Sequence, residues 1–179
     1  MMNTAKEEKI YTIEDIEALP EGERAELIDG KIYYLAAPNT AHQSILGMLF
    51  SEIYNYIKSK NGQCKVFPAP FAVYLNDKNN TNYVEPDISV VCDPSKLDEK
   101  GCHGAPDWVI EIVSPSSATM DSFIKLFKYS DAGVREYWVV YPEERKVVVI
   151  KDKEDITEYT FDDNIPVGIY NNFSIKIEL

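Results

Sequence analysis

The run Asp107-Trp108-Val109-Ile110-Glu111-Ile112-Val113 constrains this chain more than any other segment. Consecutive apolar residues, most of them β-branched, suit a strand buried on both faces, at the centre of a sheet covered on both sides. Glu111, in the middle of that strand, must give up its water. An unpaired buried charge costs several kcal/mol or neutralises itself through a raised pKa. A protein cation or a bound metal is therefore expected beside Glu111. A structural salt bridge without further role meets the same requirement, because buried pairs do occur without function.

A second carboxylate stands in a similar context at Asp87, in Val84-Glu85-Pro86-Asp87-Ile88-Ser89-Val90-Val91. Pro86 bends or ends the sheet pairing there and re-aims the next side chain. Pro-Asp alone is a common turn former, but with Glu111 it gives two strands that each carry one inward carboxylate. Neighbouring strands of that kind can hold one hard cation between them.

The following helix offers a basic partner. Glu111 lies about 7 Å below the strand end at Val113, at ~3.3 Å per residue. From the turn at Ser114-Pro115-Ser116-Ser117, whose serines can cap, a helix descends at ~1.5 Å per residue. Lys125 then lies near the depth of Glu111, its side chain leaning back toward the helix N-terminus. Lys128 shares the face but starts about one turn deeper, which makes it the second choice. The alternative for Lys125 is an exposed i,i+4 pair with Asp121, worth a few tenths of a kcal/mol. Upstream, His42 falls at the edge of an apolar helical stripe or is a partly exposed helix-end histidine. Glu26 either faces a site or faces solvent from the first hairpin strand. His103 is read as a surface residue.

Around these residues the pattern is a mixed β-sheet flanked by helices, an α/β or α+β architecture in one domain over 1–179. Residues 1–10 are expected to be a flexible N-terminal segment. Thr12 and Asp15 make a capping box for a short surface helix over 13–19, closed by Pro20 and Gly22. Asp29-Gly30 between two apolar runs marks an N-terminal β-hairpin over 25–37. Thr40 precedes an amphipathic helix ending near Gly62, with Ile45, Leu46, Leu49, Phe50, Ile53, Tyr54 and Ile57 on its stripe. Strands are expected over 65–75, 83–92 and 107–113, and a second helix over 117–132 with Gly133 as its C-terminal cap. Strands over 136–141, 146–151 and 156–161 follow. Segments 76–83 and 93–106 read as loops.

Charge narrows the function. Lys and Arg total 18 against 30 Asp and Glu, a net charge of −12. Such a surface repels phosphate backbones and anionic lipid, so any nucleic-acid contact is confined to a local cleft. The three cysteines, Cys64, Cys92 and Cys102, include no Cys-x-x-Cys pair, and neither a disulfide framework nor a zinc knuckle is expected. With no membrane-length apolar run, the expected location is a reducing cytoplasm, with no membrane partner. Phosphate-cradling glycine loops and a Gly-x-Ser-x-Gly elbow are absent, and Ser114 makes a poor nucleophile without one.

Taken together, Pro86-Asp87, Glu111 in Glu-Ile-Val-Ser-Pro-Ser-Ser, Asp121-x-x-x-Lys125-x-x-x-Tyr129, Gly133-Val134 and Tyr137-Trp138-Val139-Val140 resemble the Uma-type restriction endonuclease family of the PD-(D/E)XK nuclease superfamily. Glu26-Leu27-Ile28-Asp29-Gly30 and Ala41-His42 extend the resemblance, which runs from about Tyr11 to the final strands. It implies a restriction-endonuclease-like core in which Asp87 and Glu111 bind Mg2+ or Mn2+, to which the expected mechanism adds the Ile112 carbonyl. One departure is Val113, where the superfamily signature has lysine. The resemblance moves that role to Lys125 on the next helix, the residue the depth argument also selects. Glu26 joins the metal shell and His42 the catalytic cleft by the same resemblance.

The expected activity is therefore metal-dependent hydrolysis of phosphodiester bonds in nucleic acid, DNA foremost, with a homodimer suited to cutting two strands. Two other readings stay open. One is a nuclease fold kept as a non-enzymatic interaction module, which the acidic surface favours. The other is a metal-dependent hydrolase of a small phosphate ester.

Overall fold

The computed structural model describes residues 9–75, 80–114, 121–151 and 155–178, with only the backbone of 121–123. Of the expected flexible segment, Lys9 and Ile10 fall within these, and Lys9 Nζ pairs with Asp15 at 3.2 Å. Thr12 opens helix α1 (Ile13–Glu17), its N–H donating to Asp15 Oδ2 at 2.9 Å. The capping box is as expected, but the helix ends at Glu17 and buries none of its residues. Strands β1 (Ala25–Ile28) and β2 (Lys31–Tyr34) pair antiparallel. Asp29 and Gly30 between them have φ of 50° and 73°. That left-handed pair is what a two-residue turn matched to strand twist requires, and Asn or Asp followed by Gly supplies it at least strain.

Helix α2 (Thr40–Ser59) is capped by Asn39, not Thr40: the Asn39 side chain accepts from the His42 N–H at 2.9 Å. Ile45, Leu49, Ile53 and Ile57 are buried, each worth about 1.5–3 kcal/mol. Tyr54, placed on the same stripe by periodicity, is exposed.

The next two predicted strands each break in two. Residues 65–75 form β3 (Lys65–Pro68) and β4 (Val73–Tyr74), and 83–92 form β5 (Tyr83–Val84) and β6 (Ile88–Val91). Prolines explain both breaks, since Pro70 and Pro86 have no N–H to give a ladder. The chain uses each break to pass between sheets. The segment over 93–106 is not a plain loop, for it contains a 3-10 turn (Pro94–Lys96) and β7 (Cys102–His103). Part of the other expected loop, 76–79, and the serines 116–117 proposed as caps lie outside the described residues.

Strand β8 (Trp108–Ile112) leads to α3 (Asp121–Ala132), which ends at Gly133 with φ of 95°. Then come β9 (Glu136–Tyr141), β10 (Lys146–Lys151) and β11 (Asp155–Thr160), the last one residue earlier than expected. A small ribbon, β12 (Ile165–Pro166) with β13 (Ser174–Ile175), was not foreseen.

The main sheet has the order β11-β10-β9-β8-β6-β3, and the smaller one β2-β1-β5-β4-β7. As the apolar run demanded, β8 is interior, antiparallel to β6 and parallel to β9. Trp108, Ile110 and Ile112 pack with the α2 stripe, while Val109 packs on the opposite face with Tyr129 of α3 and with Ile28, Val73 and Val84 of the smaller sheet. Strand alternation therefore turns Glu111 away from α2 and toward α3. One disulfide was not expected: Cys64 and Cys92, next to the paired residues Lys65 and Val91, are joined.

Candidate active site

Lys125 reaches the depth argued from the sequence. Its Nζ donates to Glu111 Oε1 at 3.0 Å and contacts Glu26 at 2.7 Å to Oε2 and 2.9 Å to Oε1. Glu26 is buried, which settles its orientation away from solvent, and Oε1 also accepts the Glu85 N–H at 3.0 Å. Glu111 Oε1 accepts a further hydrogen bond from the Tyr129 hydroxyl at 2.8 Å. Lys125 thus bridges a carboxylate from each sheet.

Asp87 stands at the break before β6, beside the carboxyl end of β8. Its Oδ2 accepts the Ile112 N–H at 2.7 Å and lies 3.0 Å from His42 Nε2. His42 is buried in the first turn of α2, held there by the Asn39 cap. All six residues named from the sequence (Glu26, His42, Asp87, Glu111, Ile112 and Lys125) line one cleft of about 320 Å³. Lys128 does not enter it, for its Nζ pairs with Asp29 in the hairpin turn. His103 is exposed, as expected, and pairs with Asp98.

Burial is the main influence on the Glu111 carboxyl and pushes it up to about 7. Lys125 opposes this, Glu26 and Asp87 add to it, and Tyr129 opposes it weakly. Burial alone would lower the Lys125 ammonium from its ordinary value, yet Glu111 and Glu26 outweigh it and hold the ammonium charged. Burial also disfavours a charged His42, but the hydrogen bond and charge of Asp87, then Glu111, raise it above its ordinary value. Tyr129 is raised well above its ordinary value, first by burial and then by Glu111, and so stays a hydroxyl donor.

Among the described residues no three His, Cys, Asp or Glu side chains are already gathered around one metal position. The donor set nonetheless fits a hard cation. Asp87 Oδ1 and Glu111 Oε2 have no protein donor among the described residues, and both are carboxylate oxygens, the atoms Mg2+ and Mn2+ prefer. Were Glu111 to turn to a cation, Lys125 would keep Glu26 as partner.

Three features of the cleft were not given roles from the sequence. Tyr129 follows Lys125 by four residues, so helical spacing alone puts both on one face. Tyr137 lines the cleft with a buried hydroxyl that has no partner among the described residues. Arg24 is held to Glu85 by Nε at 2.8 Å and Nη2 at 2.5 Å, and Glu85 also accepts from Tyr83 at 2.7 Å. No local signal links Arg24 to Glu85 across 61 residues.

A helix-covered mixed sheet with acidic residues and a lysine at the end of its central parallel pair defines a nuclease-like fold. A crystal structure described as "a putative nuclease belonging to DUF820" from Anabaena variabilis matches it with a TM-score of 0.74 and 26% identity, over 88% of this chain and 89% of that one. Residues 13–173 match the Uma2 family, described as "Putative restriction endonuclease", and the chain belongs to that family. A Synechocystis relative, the uncharacterized protein slr1290, is 29% identical over 99 residues, which is 55% of this chain and 50% of that protein. The match therefore spans about half the length of that relative. Among the described residues no helix is long and apolar enough to cross a membrane.

Proposed function

We propose that the protein is a Mg2+- or Mn2+-dependent nuclease that hydrolyses phosphodiester bonds, of DNA foremost, in this cleft. The observation that carries the reading is Lys125, held charged between Glu26 and Glu111 in the same cleft as Asp87. Asp87, Glu111 and the Ile112 carbonyl are the residues that would hold the metal. When bound, it would polarise the phosphate and acidify a water. Lys125 orients that water and offsets negative charge growing on the phosphate. Glu26 and Tyr129 fix the positions of Lys125 and Glu111. His42 orients Asp87.

Membership of the Uma2 family and the likeness to a nuclease structure support this reading. A homodimer that offers two sites belongs to the same proposal, and so does a cytoplasmic location, which requires the Cys64–Cys92 pair to be reduced there. The test is cleavage of supercoiled, linear and single-stranded DNA with Mg2+ or Mn2+, alongside Lys125→Ala. Metal-dependent cutting that the variant loses is expected.

A non-enzymatic module is the second reading, favoured by the net charge of −12 and by cleft cations already engaged in ion pairs. No cutting of any substrate by folded protein would put that module first. Hydrolysis of model diesters without cutting of polymers would favour a small phosphate ester.

A further inference from the structure

The cleft has two unlike walls. Its floor carries Glu26, Asp87 and Glu111, and its rim is formed by the end of β2 and the chain leading into α2, from Tyr33 through Pro38. Tyr33 stands opposite Glu26 in the β1–β2 register, so it shares the face that looks onto Lys125. Tyr34, next along, alternates to the opposite face, where it is 66% exposed. Leu35, Ala36 and Ala37 continue the wall without a charge.

Cations are scarce by comparison. Among the described residues lining the cleft, the permanently basic side chains are Arg24 and Lys125, both already bound to carboxylates. A duplex presents two rows of phosphates outward and hides the faces of its bases. Binding it takes many cations and gives the Tyr33 ring nothing to stack on. An unpaired strand offers the reverse, one phosphate row and open base faces that stack on aromatic rings. The cleft volume of about 320 Å³ suits one nucleotide at a time.

We propose that the cleft takes an unpaired polynucleotide strand, with a base stacked on Tyr33 and the adjoining phosphate directed to the floor beside Lys125. The inference deepens the nuclease reading and rests on it for the phosphate chemistry. Stacking supplies most of the affinity, and the two cations add a small electrostatic part.

The test is fluorescence anisotropy of the full chain with labelled single-stranded DNA, single-stranded RNA and duplex DNA of one sequence. Ca2+ serves as the hard cation, and cleavage is followed separately with Mg2+. Both single strands should bind at least about tenfold tighter than the duplex. Tyr33→Leu should lose about tenfold on single strands, one stacked base being worth that much, and Tyr34→Ala on the other face should change little. Phe127→Ala, an exposed aromatic on α3 outside the cleft, should change nothing. With two cations, log affinity should fall against log salt with a slope of about −1.4.

Duplex binding equal to or tighter than single-strand binding would overturn the inference. So would a Tyr33→Leu variant that melts like wild type and binds single strands unchanged, or no binding of any strand. Duplex cleavage without single-strand preference would remove this inference and leave the nuclease reading standing. Single-strand binding without cleavage of any polymer would do the opposite.

Discussion

Glu111→Gln tests whether the cleft is a strained acidic site or a finished ion pair. The wild-type carboxyl is raised from 4.5 to about 7, burial being the largest cause. Folded protein thus holds this proton more tightly than unfolded protein does. The contribution of this one group to stability is greatest below pH 4.5 and is lost as pH climbs from there through about 7. At about 1.4 kcal/mol per pH unit, the ionised carboxylate costs the metal-free protein about 3 kcal/mol above that range. Glutamine keeps the shape, and its oxygen still accepts from Lys125 and Tyr129, as Glu111 Oε1 does. Lys125 keeps Glu26 at 2.7 Å as counter-charge. At pH 8 in EDTA the variant should therefore be more stable than wild type, by up to about 3 kcal/mol. At roughly 2–4 °C per kcal/mol for a chain of this size, that is a gain of several degrees in Tm. Thermal melts followed by circular dichroism from pH 4.5 to 8 should show the gain shrink steadily toward the acid end. A variant that melts below wild type by the same margin at every pH would refute the reasoning. Glu111 would then be the ionised half of a structural pair with Lys125.

Other consequences can be measured on the same protein. Lys125→Ala removes the cation between two buried carboxylates, so it should cost about 3–5 kcal/mol without metal and abolish hydrolysis. Lys128→Ala breaks only the pair with Asp29 at the hairpin turn and should cost under about 1 kcal/mol in the same melts, with hydrolysis retained. Saturating Mn2+, at about a hundred times its Kd, should add about 2.7 kcal/mol, read as a rise of several degrees in Tm, and Asp87→Asn should remove most of that rise. Burial pushes the Cys102 thiol up to about 11, with Lys96 opposing weakly. Native protein at pH 8 should therefore leave a disulfide-exchange reagent unreacted, and unfolding should release that thiol; fast labelling of native protein would contradict its buried position.

The elements that the sequence alone determined are those whose signal is local. The Asp29-Gly30 turn, the α2 stripe, β9 and β10 rest on a turn pair or a short period, both complete within a few residues. Glu111 was legible for the opposite reason: a charge in a two-sided apolar strand breaks the local pattern, and its cost demands a partner. Counting rise per residue along one strand and one helix then reached Lys125, because the two elements follow one another in the chain and the residues are 14 apart.

Tertiary structure decided the rest. Glu26 is read equally well as buried or exposed within Glu-Leu-Ile, and it is buried because β5 and Lys125, 99 residues away, close over it. His42 meets Asp87 across 45 residues, where neither residue's neighbours announce the other. The strands over 65–75 and 83–92 look continuous in hydrophobicity, yet each divides between two sheets. Hydrophobic period specifies which face of a strand is covered but not which sheet covers it. That choice is made when the two sheets pack, and the cleft lies where they meet.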